Sequence, residues 1–455
     1  MRIVLLSGGS GKRLWPLSND SRSKQFLKVL KNENGKMESM VQRVWRQLGK
    51  VNMSDKAMIA TSSSQVEMLH NQLGPNIPVV VEPERKDTFP AIALAAVYLY
   101  SVEGCSLDEV IGVLPVDPFV EDHFFETIKE LEWGLRESGA DLALLGAKPT
   151  YPSEKYGYIV PSGAAADDFI HVSRFCEKPD ETSAKRLIHQ QALWNCGVFG
   201  FRLDYIIQLL KRKNIPVQYD ALLKDYGKLQ SNSFDYEVVE KAGNIIALPY
   251  SGYWKDLGTW NTLTDEMGTK VMGHGVISQD AAASCIVNEL DIPIILIGVD
   301  DVVVAASPDG LLVADKKSSH KVKEYVSHFR DGPMYEEYSW GWSRVLEYSK
   351  KEGGTETLTE KVHVTAGRNL NDQSSRNQEV WTVTQGEGVL VLNDEFSEID
   401  MGTPLTIPAG KHYSLKAASD MEFIVIQSGK DLWEGRRKND RISRNLKAPA
   451  YSNYS

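Results

Sequence analysis

The order of secondary-structure signals along the chain places the strongest limit on its fold. Up to about residue 260, short β-rich runs such as RIVLLSG and AMIAT alternate with helical stretches such as Met37 to Leu48. Strands that alternate with helices form a mostly parallel sheet covered on both faces. We therefore predict an α/β fold with a doubly wound sheet, in which ligands bind outside the carboxyl ends of the strands.

The pattern changes twice further along the chain. From about Trp260, short β-branched runs with turn signals predict stacked short strands, and from about Tyr335, alternating strands predict an antiparallel sandwich or barrel. The tail carries GRRKNDRISRNLK and is expected to be solvated or frayed. The predicted regions are an α/β domain over 1–262, a stacked-strand segment over 263–330, an all-β domain over 331–432 and a polar basic tail over 433–455.

The composition of the chain argues against several classes of protein function. The net charge of −10, from 51 Lys+Arg and 61 Asp+Glu, argues against nucleic-acid binding, which needs clustered cations. No apolar run approaches the ~20 residues of a membrane-spanning helix, and the run Ile3 to Leu6 is too short for a signal peptide. Because the four cysteines have no paired spacing, we expect neither disulfides nor a zinc site, and a cytoplasmic location.

A glycine-rich loop follows the first predicted strand. It reads Ser7-Gly8-Gly9-Ser10-Gly11-Lys12-Arg13, and its glycines let backbone N–H groups approach an anion closely while Lys12 and Arg13 add charge. A dinucleotide fingerprint would need glycine at Leu14, and a Walker loop would need glycine at Leu6 and Ser or Thr at Arg13. Both common alternatives fail on spacing, so the loop alone predicts only an anion site.

The longer segment GGSGKRLWPLSNDSRSKQFLKVL resembles the mannose-1-phosphate guanylyltransferase family of sugar-1-phosphate nucleotidylyltransferases. It departs from that family at Lys12, where Thr is usual, and at Ser23, where Pro is usual. The resemblance implies a Rossmann-like domain in which the loop and Lys24 bind the nucleotide. Arg13 would contact its outer phosphates and Lys24 the phosphoryl group under attack. Such a reaction mainly requires the neutralisation and alignment of negative charge.

Two carboxylates are candidate metal ligands and catalytic residues. Asp117 follows the strand VIGVLPV, and Asp256 lies in GYWKDLGTW, which resembles the family's Trp-x-Asp-x-Gly-x-Trp motif. A hard ion such as Mg²⁺ binds one or two carboxylates together with substrate phosphates. We predict Mg²⁺ at Asp117 and Asp256, although relatives commonly carry His where Pro118 stands.

Further segments resemble the family in the same order. EPERKDTFPAIALAA resembles the nucleobase segment, but Asp87 replaces the usual Asn and can only accept hydrogen bonds. The resemblance assigns Lys178 to the acceptor phosphate and Glu177 to sugar hydroxyls. The remaining implied residues are Glu82 and Thr88 for the nucleotide, and Tyr156, Gly157, Asn195, Asp235 and Tyr236 for the sugar phosphate.

The region over 263–330 looks like the family's left-handed β-helical segment, and the last domain resembles a cupin. In bifunctional relatives the cupin carries phosphomannose isomerase and holds a metal with an H-x-H pair, a Glu and a second His. Here Gln373 and Ser375 occupy the H-x-H positions, Glu379 is kept, and His412 is a remnant. One His and one Glu fall short of the three protein ligands of a usual catalytic site, so we predict no isomerase activity.

The resemblance implies a reaction between GTP and α-D-mannose 1-phosphate that yields GDP-mannose and diphosphate, with Mg²⁺ as cofactor. It also implies a homodimer or higher homo-oligomer with no nucleic-acid or membrane partner. Three alternatives stay open at this point. They are a different base or sugar 1-phosphate, such as a heptose 1-phosphate, a catalytically inactive regulatory homologue, and a bifunctional isomerase.

Overall fold

The computed structural model describes residues 1–9, 12–19, 21–163, 168–326, 328, 332–374 and 376–437. Ser10, Gly11 and Ser375, which carry predictions above, and the tail from residue 438 lie outside the described residues. None of the described helices is long and apolar enough to cross a membrane. The chain divides into two compact units. The first is Met1–Leu14, Ser23–Val66 and Gln72–Lys270, and the second is Trp15–Arg22, Glu67–Asn71 and the chain from Val271 onward.

The first unit alternates strands and helices. Its strands are β1 (Arg2–Leu6), β2 (Leu30–Lys31), β3 (Met37–Glu38), β4 (Ala57–Ser62), β5 (Val79–Glu82), β6 (Val110–Pro115), β7 (Pro118–Val120), β8 (Leu142–Ala147), β9 (Tyr158–Pro161), β10 (Ile170–Cys176), β11 (Leu193–Arg202), β12 (Ile245–Tyr250) and β13 (Trp254–Asp256). The helices up to Lys270 are α1 (Met40–Lys50), α2 (Val66–Leu73), α3 (Thr88–Ser101), α4 (His123–Ser138), α5 (Glu181–His189), α6 (Leu203–Arg212), α7 (Tyr219–Asp225), α8 (Phe234–Glu237) and α9 (Trp260–Glu266). Most of α2, Glu67–Asn71, belongs to the second unit.

Nine of these strands form one sheet in the order β5-β4-β1-β6-β11-β8-β12-β10-β9. The apolar strands β4, β6 and β8 are buried along almost their whole length, as expected where helices cover both faces of a sheet. The predicted α/β fold is confirmed. The sheet is nevertheless mixed, because β10 and β11 run antiparallel to their neighbours.

Strand register brings the glycine loop and the two predicted metal ligands to one edge of this unit. β1 pairs with β6 in parallel, with Leu6 opposite Pro115, so the residues that follow both strands leave the sheet together. β7 then pairs with β13 as an antiparallel ribbon in which Pro118 lies opposite Asp256. Asp117 therefore lies next to Asp256 although the two are far apart in sequence.

The second unit begins, after Lys270, with short stacked strands, as the turn-rich pattern predicts. These strands are β14 (Val271–Met272), β15 (Gly275–Ile277), β16 (Cys285–Asn288), β17 (Ile294–Leu296), β18 (Val302–Ser307) and β19 (Gly310–Asp315), followed by helix α10 (Val322–Val326). β14, β16 and β18 pair in parallel, β15 pairs in parallel with β17, and β19 folds back against β18. A parallel stack of such short strands is the arrangement of a β-helix.

The segment Trp15–Arg22 is built into this second unit. Ser307 Oγ donates to the Pro16 carbonyl (2.6 Å), and Asn19 Nδ2 donates to Asp309 Oδ2 (2.6 Å). The guanidinium of Arg22 makes a bidentate ion pair with Glu289, at 2.8 and 2.9 Å. The sequence signals did not predict that this segment leaves the α/β unit.

The rest of the second unit is an antiparallel sandwich with a cupin-like arrangement. Its strands are β20 (Tyr335–Tyr338), β21 (Gly341–Lys350), β22 (Glu356–Val364), β23 (Asn369–Ser374), β24 (Glu379–Gln385), β25 (Gly388–Leu392), β26 (Glu395–Ile399), β27 (Pro404–Ile407), β28 (His412–Ala417) and β29 (Met421–Gly429). A six-stranded sheet, β20-β21-β22-β29-β24-β27, and a four-stranded sheet, β23-β28-β25-β26, share one apolar core around Trp381, Leu415 and Phe423.

The first residues of the predicted tail differ from the expectation of a solvated or frayed segment. They form helix α11 (Leu432–Arg437), in which Leu432 is buried. Arg436 pairs with Glu360 (2.9 Å) and Glu336 (3.1 Å), and only 7% of its side chain is exposed. The sandwich therefore gains an apolar anchor and a buried ion-pair cluster that composition alone could not indicate.

Candidate active site

A cavity of about 390 Å³ opens at the edge of the sheet where β1 and β6 end. Most of the residues predicted to bind nucleotide or sugar phosphate line it. These are Gly8, Gly9, Glu82, Asp87, Thr88, Asp117, Tyr156, Gly157, Glu177, Asn195, Asp235 and Asp256. The structure thus brings together residues from both halves of the first unit, at the sheet edge where an α/β fold places its ligands.

Lys24 lies between the two predicted metal ligands. Its Nζ is 2.7 Å from Asp117 Oδ2 and 3.3 Å from Asp256 Oδ1. Burial acts to lower the pKa of Lys24, but the two carboxylates outweigh burial and raise that pKa above its usual value. A Cβ on Gly258 would lie 2.7 Å from Asp256 Oδ2, which explains the glycine in this motif.

The donor set suits a hard cation. Among the described residues there is no group of three or more His, Cys, Asp or Glu side chains placed to hold a metal. Two adjacent carboxylates are nevertheless what Mg²⁺ uses when substrate phosphates supply its remaining ligands. Asp117 and Asp256 would hold such an ion, and Lys24 balances their negative charge in this structure.

The described part of the glycine loop approaches a buried glutamate. Ser7 N donates to the Ala60 carbonyl (2.9 Å), and a Cβ on Gly8 would lie 3.0 Å from Glu82 Oε1. Lys12 and Arg13 form part of a 3₁₀ turn, Lys12–Leu14. The exposed Arg13 and the half-buried Lys12 are not among the residues that line the cavity. Their assignment to the outer phosphates stays a prediction.

The predicted nucleobase segment supplies acceptors and two cations, Arg85 and Lys86, that sequence reasoning did not assign. Glu82 accepts from the Tyr226 hydroxyl (2.8 Å), and burial raises the pKa of Glu82. Asp87 adopts a positive φ of 70° and accepts from Thr88 N (2.7 Å) as the N-cap of α3. Arg85 also lines the cavity, and its place beside Asp87 in the motif is the signal that could have identified it.

At the predicted sugar side, Asn195 Nδ2 donates to Asp235 Oδ1 (2.8 Å). Burial, followed by the charge of Glu177, raises the pKa of Asp235 to about 7. Lys178 Nζ pairs with Glu177, and a Cβ on Gly157 would lie 2.5 Å from Glu177 Oε2. This side of the cavity is a cluster of polar side chains that could bind hydroxyl groups, and Lys155 also lines the cavity.

Two residues predicted for this side do not line the cavity, and one residue that was not predicted does. Lys178 and the 43% exposed Tyr236 are not among its lining residues. The ring of Tyr156 lies 5.0 Å from that of Trp194 and 5.2 Å from that of Trp254, between centroids. Trp254, which sequence reasoning did not assign to the site, lines the cavity directly.

A small cavity of about 30 Å³ lies inside the cupin-like sandwich beside Glu379. Glu379 is 1% exposed there and accepts from Trp381 Nε1 (2.8 Å) and Gln427 Nε2 (2.6 Å). Gln373 lines this cavity, whereas His412 is exposed on β28. The carboxylate kept from the isomerase motif is thus engaged by protein donors. The absence of isomerase activity stays a prediction.

Two protein families match this chain, and their boundary lies close to Lys270, where the first unit ends. The nucleotidyl transferase family matches residues 2–270, and a family described as MannoseP isomerase/GMP-like beta-helix domain matches residues 276–329. The chain is 31% identical to the Xanthan biosynthesis protein XanB of Xanthomonas campestris and 29% identical to a mannose-1-phosphate guanylyltransferase of Salmonella muenchen. Each alignment covers 95% of this chain and 96% of the relative.

A solved structure from Thermus thermophilus, described as a mannose-1-phosphate geranyltransferase, is also similar. Its TM-score is 0.61 at 27% identity, over 72% of this chain and 98% of that one. The family match extends over more than half of the chain and contains every residue that lines the cavity, together with Lys24. The chain therefore belongs to the nucleotidyl transferase family.

Proposed function

We propose that this chain is a mannose-1-phosphate guanylyltransferase that converts GTP and α-D-mannose 1-phosphate into GDP-mannose and diphosphate. The observation that carries the proposal is the convergence of Lys24, Asp117 and Asp256 beside the glycine loop. A cation between two carboxylates, next to backbone N–H groups, suits the transfer of a phosphoryl group. The names of the relatives from Salmonella and Thermus support mannose 1-phosphate as the acceptor.

In the proposed reaction, a phosphate oxygen of mannose 1-phosphate attacks the α-phosphorus of GTP. The bond from that phosphorus to the oxygen bridging to the β-phosphate breaks, and diphosphate leaves with the electron pair. The glycine loop and Arg13 bind the triphosphate, Lys24 stabilises charge at the α-phosphorus, and Lys178 orients the acceptor phosphate. A bound Mg²⁺ would neutralise phosphate charge and would be held by Asp117 and Asp256.

The cavity also offers the polar groups that the two substrates need. Guanine presents adjacent N1–H and N2–H donors, which suit the carboxylate acceptors Glu82 and Asp87. Glu177, Asn195 and Asp235 line the cavity and would bind sugar hydroxyls. We also propose a cytoplasmic enzyme, consistent with four free cysteines, and a homodimer or higher homo-oligomer.

The test is a panel of nucleoside triphosphates against several sugar 1-phosphates with Mg²⁺, read out as diphosphate release. We expect the highest kcat/KM for GTP with mannose 1-phosphate. A preference for another base or for a heptose 1-phosphate would correct the substrate assignment. If no pair of nucleoside triphosphate and sugar 1-phosphate gives diphosphate, the chain is better explained as a catalytically inactive regulatory homologue.

A further inference from the structure

A layer of buried polar side chains lies beneath the glycine loop. Its members come from three separate segments and are each at most 3% exposed, namely Ser7, Ser23, Gln25, Thr61 and Gln65. Burying polar groups costs free energy unless they are hydrogen-bonded, so such a layer survives only as a connected network. Neither the family assignment nor the proposed mechanism gives this network a role.

The network holds the carbonyl groups of the loop. Ser23 Oγ donates to the Gly9 carbonyl (2.8 Å), and Gln25 Nε2 donates to the Ser7 carbonyl (3.0 Å). In a trans peptide the C=O and the following N–H point in opposite directions. Holding the Ser7 carbonyl on this side therefore directs the Gly8 N–H away from the network. This is the N–H orientation that an anion above the loop requires.

Gln65 lies at the centre of the network. In either orientation of its amide group it contacts Ser23 Oγ (2.6 Å) and Thr61 Oγ1 (3.0 Å). The orientation that pairs donors with acceptors lets its nitrogen donate to the Ser7 carbonyl and its oxygen accept from Arg85 Nη2 (2.9 Å). In that orientation the single proton of Ser23 Oγ is shared between the Gln65 oxygen (2.6 Å) and the Gly9 carbonyl (2.8 Å). One fully buried amide thus connects the glycine loop, the residue before Lys24, and a cation of the cavity.

We propose that Gln65 is a positioning residue for the triphosphate of the nucleotide. It does not touch the substrate but fixes the loop carbonyls, Ser23 and Arg85 relative to one another. The hydroxyl of Ser23 supplies one of the two hydrogen bonds that hold the loop carbonyls, the one to the Gly9 carbonyl. The inference rests on the proposed use of the cavity by a nucleoside triphosphate.

The test compares Gln65→Met with the matched control Gln47→Met. Gln47 is also fully buried, and it donates to the Val120 carbonyl (3.1 Å) and Asp122 Oδ1 (2.9 Å), away from the glycine loop. Both variants lose buried hydrogen bonds and should unfold at lower temperature. Only Gln65→Met should weaken GTP binding and raise KM for GTP, each about tenfold, while KM for mannose 1-phosphate stays within about twofold.

GTP binding is measured by titration calorimetry with Mg²⁺ and no acceptor sugar, so that it does not depend on turnover. If the native protein binds GTP but never releases diphosphate, the proposed function is wrong. The inference about Gln65 can still be tested in that case, because GTP binding is measured without turnover. Equal GTP affinity of native and Gln65→Met protein, or an equal loss in Gln47→Met, would overturn the inference. If Gln65→Met does not fold, Ser23→Ala replaces it, and unchanged GTP affinity in that variant overturns the inference as well.

Discussion

Replacing Lys24 by Met should have opposite effects on metal binding and on turnover. The ammonium of Lys24 lies 2.7 Å from Asp117 and 3.3 Å from Asp256, the two residues proposed to hold Mg²⁺. A divalent ion entering this site must compete with that cation for the same carboxylates. Without Lys24 the carboxylates are left without their counterion and should bind the ion more tightly.

The expected increase in metal affinity follows from the distances between Lys24 Nζ and the two carboxylates. At an effective dielectric constant of about 20, unit charges attract by about 6 kcal/mol at 2.7 Å and about 5 kcal/mol at 3.3 Å. The cost of burying the lysine cancels much of this attraction. If removing Lys24 makes the free energy of metal binding about 1.4 to 2.8 kcal/mol more favourable, the metal binds about 10- to 100-fold more tightly.

Mn²⁺ is a suitable probe, because its free fraction can be measured by electron paramagnetic resonance. We expect the Kd for Mn²⁺ to fall at least about tenfold in Lys24→Met while kcat falls at least about 100-fold. The control is Lys255→Met, since Lys255 also pairs with two carboxylates, Asp265 and Glu266, at 2.9 Å each. That control should change neither quantity. Unchanged or weaker Mn²⁺ binding in Lys24→Met would refute the assignment of Asp117 and Asp256 as metal ligands.

Three further predictions concern other parts of the chain. Because burial raises the pKa of Asp235 to about 7, its carboxyl is neutral below that pH and becomes the stronger acceptor above it. KM for mannose 1-phosphate should therefore fall as pH rises through about 7, and Asp235→Asn should flatten this profile in steady-state assays. Arg436→Ala leaves Glu360 buried without its cation and should cost about 3 kcal/mol of stability in denaturant unfolding. The exposed control Lys185→Ala should cost under about 0.5 kcal/mol. Because Glu379 already accepts two hydrogen bonds, added Zn²⁺ or Mn²⁺ should not support interconversion of fructose 6-phosphate and mannose 6-phosphate, and a metal-dependent rate above background would contradict this.

The sequence predicted those parts of the fold that local pattern controls. Alternating strands and helices identified the α/β unit, and short turn-bounded runs identified the stacked strands and the sandwich. The antiparallel insertion of β11 between β6 and β8 could not be predicted, because strand order depends on packing between distant segments. Helix α11 was missed because its polar composition hides one apolar anchor and the buried Arg436.

In the candidate site, too, the sequence predicted the residues that lie in motifs and missed those that matter through contacts between distant segments. Asp117 and Asp256 were predicted separately from two motifs, and the register of β7 and β13 explains why they lie together. Gln65 lies in none of the quoted motifs, and Arg85 lies in the nucleobase segment but was assigned no role there. Their importance arises from hydrogen bonds between residues that lie far apart in sequence, which periodicity and spacing do not encode.

The segment Trp15–Arg22 limits how this chain can be truncated or joined to a relative, because its partners lie after Lys270. A chain ended after Lys270 would keep Pro16, Asn19 and Arg22 but lose Ser307, Asp309 and Glu289, with which they pair. A chimaera joined at the same point would combine Arg22 of one parent with residue 289 of the other. The second unit therefore cannot be exchanged between relatives by a junction after Lys270 alone. A chimaera should take Arg22 and Glu289 from the same parent.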